Sequence, residues 1–300
     1  MASAGQTSAL KTVRDLVRWG ASEFARNGLY FGHGTDNALD ESFHLVLHAL
    51  QLPADLPTLY LEARVTEAER DSTVKLLRKR VKLRKPAAYL IGKIEFAGLT
   101  FQVDERVLIP RSPIGELIGK QFEPWLTHGP GTILDLCAGS GCIGIACAHA
   151  FPEARVDLAE RDVAALEVCR RNIELHHCAD RVHMIRSDVF GALKGNRYDL
   201  IVANPPYVPT AEVDVLPDEF RHEPRVALDA GKDGMDIVAR ILDEAPTYLA
   251  DDGLLICEVG GSVAEFTARW PRLPVTWLEF EHGGDGVFLI SRADLVTGKR

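Results

Sequence analysis

Apolar residues recur at helical spacing through the first third of the chain. Val13, Leu16, Val17 and Phe24 fall on one face, and Leu45, Val46 and Leu50, then Val74, Leu77 and Val81, repeat the spacing. Leu52-Pro53 and Leu56-Pro57 interrupt the run. The pattern predicts a small helical domain over residues 1–92, with the glycine-rich stretch 28–37 as a loop feeding a helix that starts near Asp40. Over residues 94–109 the pattern changes to alternation around Ala97-Gly98, which predicts a β-hairpin, and residues 93–110 are expected to connect two domains. Beyond it, apolar strands alternate with helices. Strand 132–136 precedes a helix from Gly141, strand 155–159 precedes a helix through Asn172, and strands 182–185, 200–203 and 254–258 follow. This alternation predicts an α/β domain over residues 111–300, built on a parallel sheet with helices on both faces. Residues 275–280 and 286–291 are joined by Glu281-His-Gly-Gly-Asp285 with no helix between them, so the sheet is expected to close with an antiparallel hairpin.

Composition narrows the setting. With 300 residues, 46% hydrophobic and 26% charged, the chain can bury one large core and a smaller one. Its start lacks a basic-then-apolar leader, and no apolar run approaches the roughly 18 residues of a membrane helix, so a cytoplasmic location and no membrane partner are expected. The six cysteines form no CxxC pair, and the three in one apolar stretch read as small buried hydrophobes, so neither a disulfide framework nor a structural zinc site is expected. His44 and His48 lie at i, i+4 with no third ligand, and no metal site is expected. A net charge of −9 argues against a long nucleic acid as main partner and favours a basic protein. One local exception, the basic run 78–85, reads either as a solvated helix end or as a substrate contact.

The candidate chemistry starts at residues 133–144. A strand, the glycine-rich turn Cys137-Ala-Gly-Ser-Gly141 and a helix start follow one another directly, so that a ligand can approach the backbone closely. Glu160 ends the next strand about 20 residues on, where an acid can accept hydrogen bonds from two ribose hydroxyls. Gly139-Ser-Gly-Cys-Ile-Gly144 also satisfies the nicotinamide fingerprint, and alone it does not decide. Asp135 favours the cationic methionine end of S-adenosylmethionine over a pyrophosphate, which it would repel. Asp188, after the third strand of the unit, is placed either to accept from the adenine amine or to cap the following turn.

Asn204-Pro-Pro-Tyr207 follows directly on an apolar strand. Two prolines cannot continue in a sheet, so the chain must leave it at the carboxyl edge, where open α/β sheets bind ligands. The Asn204 side-chain oxygen and the Pro205 carbonyl can accept both hydrogens of a planar –NH2 group, with Pro206 and Tyr207 completing the motif and Tyr207 packing on its plane. An amide or exocyclic amine acceptor is implied. Glutamine in a protein and the amine of a nucleobase both satisfy this chemistry, and an assembly factor that binds without turnover is a third reading.

These motifs, together with Phe101–Arg111 and Cys257-Glu-Val-Gly260, resemble the glutamine-N(5) methyltransferases of the HemK-like fold, in order and across the catalytic domain. Residues 28–36, Pro110-Arg-Ser-Pro-Ile-Gly-Glu116 and Arg221-His-Glu-Pro224 are similar to the branch that acts on the third protein of the large ribosomal subunit. The release-factor branch typically carries Pro-Arg-Pro-Glu-Thr-Glu after the hairpin. The resemblance implies a class I S-adenosylmethionine-dependent fold and a helical domain that recognises a protein substrate, either free or during ribosome assembly. By position it assigns Asp135, Cys137, Ala138, Gly139, Ser140, Gly141, Glu160, Asp188, Val189 and Asn204 to the donor, and Asn204 through Tyr207 to the glutamine. Cys137 stands where relatives often have glycine, Glu160 where many have aspartate, and Val189 where release-factor enzymes have an aromatic over the adenine.

Overall fold

The computed structural model describes residues 7–298. The chain divides into two compact units. One runs to Lys93 and also takes in Pro217–His222, and the other comprises Ile94–Leu216 and the chain from Glu223 onward. The return of residues 217–222 to the helical unit has no counterpart in the hydrophobic pattern, because only one of its residues, Glu219, is buried, and it is charged.

In the helical unit, helices Val13–Arg26, Ala38–Ala49 and Glu67–Leu83 bury Leu16, Phe24, Leu45 and Leu77 against one another. Each starts on a side-chain cap. Thr12 and Thr66 form capping boxes with Asp15 and Glu69, and Asn37 accepts from the amides of Leu39 and Asp40. Each cap contributes about 1 kcal/mol by satisfying amides that have no partner within the helix. A Cβ at Gly20 would lie 2.2 Å from Ser42 Oγ, so glycine is what lets the first two helices approach.

The basic run at the end of the third helix is not a uniformly solvated face. Arg80 is fully buried and pairs with Glu41 and Glu219, while its Nη2 donates to the Tyr30 carbonyl at 3.0 Å. Arg84, in left-handed conformation at φ +53° where the helix stops, reaches Glu219 at 2.9 Å and the Gly28 carbonyl at 2.8 Å. The Tyr30 amide also donates to Glu219. Lys79 and Lys82 remain exposed, because helical periodicity turns alternate members of the run outward.

The second unit carries the sheet. Strands β1 (Lys93–Phe96) and β2 (Leu99–Gln102) form the hairpin, with Ala97 and Gly98 both at positive φ in its turn. It is shorter than the alternation suggests. After Gln102, Asp104 accepts from the Arg106 amide and side chain and bends the chain out of the ladder. The main sheet contains β3 (Thr132–Leu136), β4 (Arg155–Glu160), β5 (Val182–Arg186), β6 (Tyr198–Ala203), β7 (Leu249–Glu258), β8 (Thr276–Trp277) and β9 (Val287–Ser291). Their order is β5-β4-β3-β6-β7-β9-β8. The first five are mutually parallel, and β9 runs antiparallel to β7 and β8, which is the expected closing hairpin with a shorter first arm.

Alternate strand residues feed two cores. Ile133, Val156, Leu158, Leu200 and Val202 pack with helices Cys142–Ala150 and Val163–Leu175. Leu134, Leu136, Ile201, Ala203 and Cys257 pack with helix Asp236–Tyr248 and with Leu295 of helix Arg292–Thr297. Strands buried on both faces explain why their sequences read as continuous apolar runs. No helix among the described residues is long and apolar enough to cross a membrane.

Removing the Arg80 guanidinium would leave Glu41 and Glu219 buried without their shared cation. Arg80→Ala is expected to destabilise the chain by about 3–5 kcal/mol. Lys79→Ala, on the exposed side of the same helix, should stay within about 0.5 kcal/mol of the parent. Urea denaturation of the two variants measures both.

Candidate active site

The parallel register delivers three loops to one edge of the sheet. Leu136 pairs with Ala159 on one side and with Ala203 on the other, so the next residues, Cys137, Glu160 and Asn204, stand at the same level. A cleft opens there. Cys137 through Ser140 of the glycine loop, Glu160, Asp188 and Val189 line it, together with Asn204 and Pro206. Asp135, Gly141, Pro205 and Tyr207 are not among its lining residues.

The glycine loop is shaped by backbone conformation. Cys137, Gly139 and Gly141 lie at φ +59°, +54° and +79°. Only glycine takes such angles without strain, so Cys137 carries a cost that a glycine would not. A Cβ at Gly141 would meet the Cys169 sulfur at 2.7 Å, and one at Gly144 would meet Leu158 at 2.1 Å, so the helix after the loop sits close against β4. Apart from its own chain neighbours, no described residue comes within 4 Å of where a Cβ at Gly139 would be. Cys137, Cys142 and Cys169 have their thiols pushed up by burial, and the last two pack in the core.

Two carboxylates organise this loop. Glu160 accepts from the Gly139 amide at 3.0 Å and from the Asp162 amide at 2.8 Å, one on each oxygen, leaving lone pairs on both. Asp135 accepts from the Gly144 amide at 2.8 Å through Oδ2, while its buried Oδ1 has no hydrogen-bond partner among the described residues. Burial, reinforced by the charge of Glu160, pushes the Asp135 carboxyl up to about 7.

Asp188 is exposed and held by Arg240 at 2.9 Å, which keeps its carboxyl below the usual range. It does not cap the turn after β5. Ser187 does so instead, accepting from the Ala192 amide and donating to the Val189 carbonyl. Val189 is buried at φ +49°, a conformation β-branched residues rarely adopt, and its side chain stands at the cleft.

At the end of β6 the Asn204 Oδ1 is buried and likewise has no partner among the described residues. Pro205 and Pro206 are buried and end the strand. The Tyr207 hydroxyl donates to Glu258 at 2.9 Å, and burial together with the Glu258 charge pushes it far up, so the phenol stays protonated. Of Arg221-His-Glu-Pro224, the first two residues belong to the helical unit. Glu223 takes both arms of Arg111, at 2.6 and 2.9 Å, and Pro224 lines the cleft.

Asn172 carries a role that no spacing in the sequence announces. Fully buried, it donates to the carbonyls of Ser140 and Gln102 and accepts from the Gln102 amide, tying the glycine loop to the end of the hairpin. Its only signal is a polar residue on the inward face of an amphipathic helix. Among the described residues, no group of three His, Cys, Asp or Glu comes together as metal ligands.

Fold and cleft together define a class I methyltransferase. The methyltransferase small domain family matches residues 122–231. A ribosomal protein uL3 glutamine methyltransferase of Francisella tularensis subsp. tularensis is 44% identical over 97% of this chain and 93% of its own length. One of Xylella fastidiosa is 48% identical over 96% and 92%. The chain belongs to the family of ribosomal protein uL3 glutamine methyltransferases. Among solved structures, the hMettl16 catalytic domain in complex with MAT2A 3'UTR hairpin 6 covers 75% of this chain and 81% of its own, with a TM-score of 0.51 at 17% identity, a likeness of fold alone.

Asn172→Ala would leave the Ser140 and Gln102 carbonyls and the Gln102 amide without their partner. Each buried group costs about 1–3 kcal/mol when unmade. The variant is expected to melt several degrees lower and to exchange the amides of residues 138–141 faster, read by hydrogen exchange with mass spectrometry.

Proposed function

We propose that the chain transfers a methyl group from S-adenosylmethionine to the side-chain amide nitrogen of a glutamine in ribosomal protein uL3, and that it does so in the cytoplasm. The observation that carries the reading is the buried, unpartnered Asn204 Oδ1 at the end of β6, next in the sheet to the glycine loop. The substrate comes from the relatives that match nearly the whole chain and carry this name. The glycine loop and the two carboxylates that organise it suit S-adenosylmethionine. Asp135 Oδ1 lacks a partner that a cation would supply, the lone pairs left on Glu160 suit a ribose diol, and the space at Gly139 admits a ligand against the backbone.

When bound, the sulfonium donor supplies an electrophilic methyl. The chain's own part is positioning. Asn204 Oδ1 and the Pro205 carbonyl accept the two amide hydrogens of glutamine, which raises electron density on a nitrogen whose lone pair is delocalised and aims it at the methyl. Tyr207, locked as a protonated phenol, is a wall for the amide plane and no base. None is needed, because a protonated N-methyl amide is a strong acid that loses its proton to solvent. A glutamate side chain offers no hydrogens to the two acceptors, and rejection of about 10⁴-fold follows. The helical unit selects the protein substrate in this scheme, and the excess of acidic over basic residues in the chain suits a basic one.

Donor binding should depend on pH with a defined sign. Below about 7 Asp135 is protonated and offers a cation nothing; above it the carboxylate is charged and attracts one. Donor affinity is expected to fall as the pH drops below about 7 and to level off above it, measured calorimetrically across that range. A flat profile contradicts the role given to Asp135. The reaction is tested by transfer of labelled methyl into purified uL3, a release factor and rRNA, with mass mapping of the product. Label on a uL3 glutamine is the expected result. Label on the release factor moves the substrate, and label on RNA alone overturns the glutamine reading.

A further inference from the structure

Glu258, the last residue of β7, is 5% exposed and touches neither the glycine loop nor Asn204 through any hydrogen bond. Each of its oxygens receives one hydroxyl. Oε1 accepts from Tyr207 at 2.9 Å and Oε2 from Ser112 at 2.5 Å. Ser112 Oγ also accepts from the Ile114 amide at 3.2 Å, which directs its single proton to Glu258. In its carboxylate form it accepts from both hydroxyls; burial pushes the Glu258 carboxyl up from its ordinary value, and the two donated hydroxyls oppose that shift.

Tyr207 is confined on its other sides as well. A Cβ at Gly260, which sits at φ +47°, would lie 2.6 Å from the ring, and one at Gly234 would lie 2.2 Å from the Tyr207 carbonyl oxygen. Ser262 Oγ donates to that same carbonyl at 2.9 Å. Ring, hydroxyl and carbonyl are therefore fixed by separate parts of the chain. The hydroxyl contact is the only one of these that depends on a charged group.

We infer that Glu258 is a positioning residue for methyl transfer: through the Tyr207 hydroxyl it fixes the aromatic wall against which the acceptor amide is aligned, and Ser112 in turn fixes Glu258. The inference rests on the reading of Asn204 through Tyr207 as the acceptor site. It assigns a function to a residue that meets neither donor nor acceptor. A misplacement of about 1 Å at a reacting group costs about 10²-fold in rate, which sets the size of the effect.

The test is steady-state methyl transfer by the full chain, with donor dissociation constants measured alongside. Glu258→Ala should lower kcat about a hundredfold while donor affinity stays within about twofold, because the displaced group serves the acceptor alone. Tyr207→Phe should lose a similar factor. The double variant should lose no more than the worse single one, since both break the same contact. Glu258→Gln, which keeps one acceptor for Tyr207, should fall between the parent and Glu258→Ala. The inference is overturned if Glu258→Ala keeps kcat within about threefold of the parent, if the losses multiply, or if donor affinity falls equally. Should Glu258→Ala fail to fold, Tyr207→Phe and Glu258→Gln decide, and parent-like kcat in both overturns it. An unaltered chain that transfers label to none of the three acceptors sinks the glutamine reading and this inference with it, a result distinct from an active parent with indifferent variants.

Discussion

The register of β3 between β4 and β6 is the constraint on which the rest depends. Neighbouring strands lie about 4.8 Å apart. Because Leu136 faces Ala159 and Ala203, the glycine loop, Glu160 and Asn204 emerge side by side rather than staggered along the sheet. A slip of one residue would exchange the faces of the strand and carry Asp135 away from the amide of Gly144. The two apolar cores hold this register from both faces, with Ile133 and Leu200 in one and Leu134 and Ile201 in the other. Packing thus sets the chemistry. The prolines after Asn204 add the last element by forcing the chain out of the sheet at the edge where the glycine loop already lies.

Around that edge most buried polar groups are paired, and this makes the exceptions informative. Glu160 spends one lone pair per oxygen on amides, Glu223 takes both arms of Arg111, Glu258 takes two hydroxyls, and Asn172 makes three hydrogen bonds. Asp135 Oδ1 and Asn204 Oδ1 have none among the described residues. A buried acceptor without a donor costs about 1–3 kcal/mol, which the chain bears in the absence of ligands and which a cation at one atom and an amide hydrogen at the other would remove. In the proposed reaction these two atoms separate the roles, one for the donor and one for the acceptor.

Much of the architecture was legible in the sequence because doubly covered parallel strands leave continuous apolar runs, and the glycine loop and Asn204-Pro-Pro-Tyr207 leave local backbone signatures. What was hidden is non-local. Helical spacing puts Arg80 on the same face as Leu77, but its partner was hidden, because Glu219 lies 139 residues away. Ser187 and Asp188 are adjacent and both suit a cap, and only the position of Arg240, 52 residues beyond Asp188 in helix Asp236–Tyr248, assigns the cap to the serine and an ion pair to the aspartate. The strain at Cys137 and Val189 was also out of reach, since a substituted glycine and a short aliphatic give no sign that their backbones are left-handed.

The most direct test of this account is a comparison of donor affinity and methyl transfer in Asn204→Ala. The account predicts a donor dissociation constant within about threefold of the parent and a kcat lower by at least about 10²-fold, because the lost oxygen is used at the reacting amide and nowhere else. Equal losses in donor binding and turnover, or turnover close to that of the parent, would contradict it.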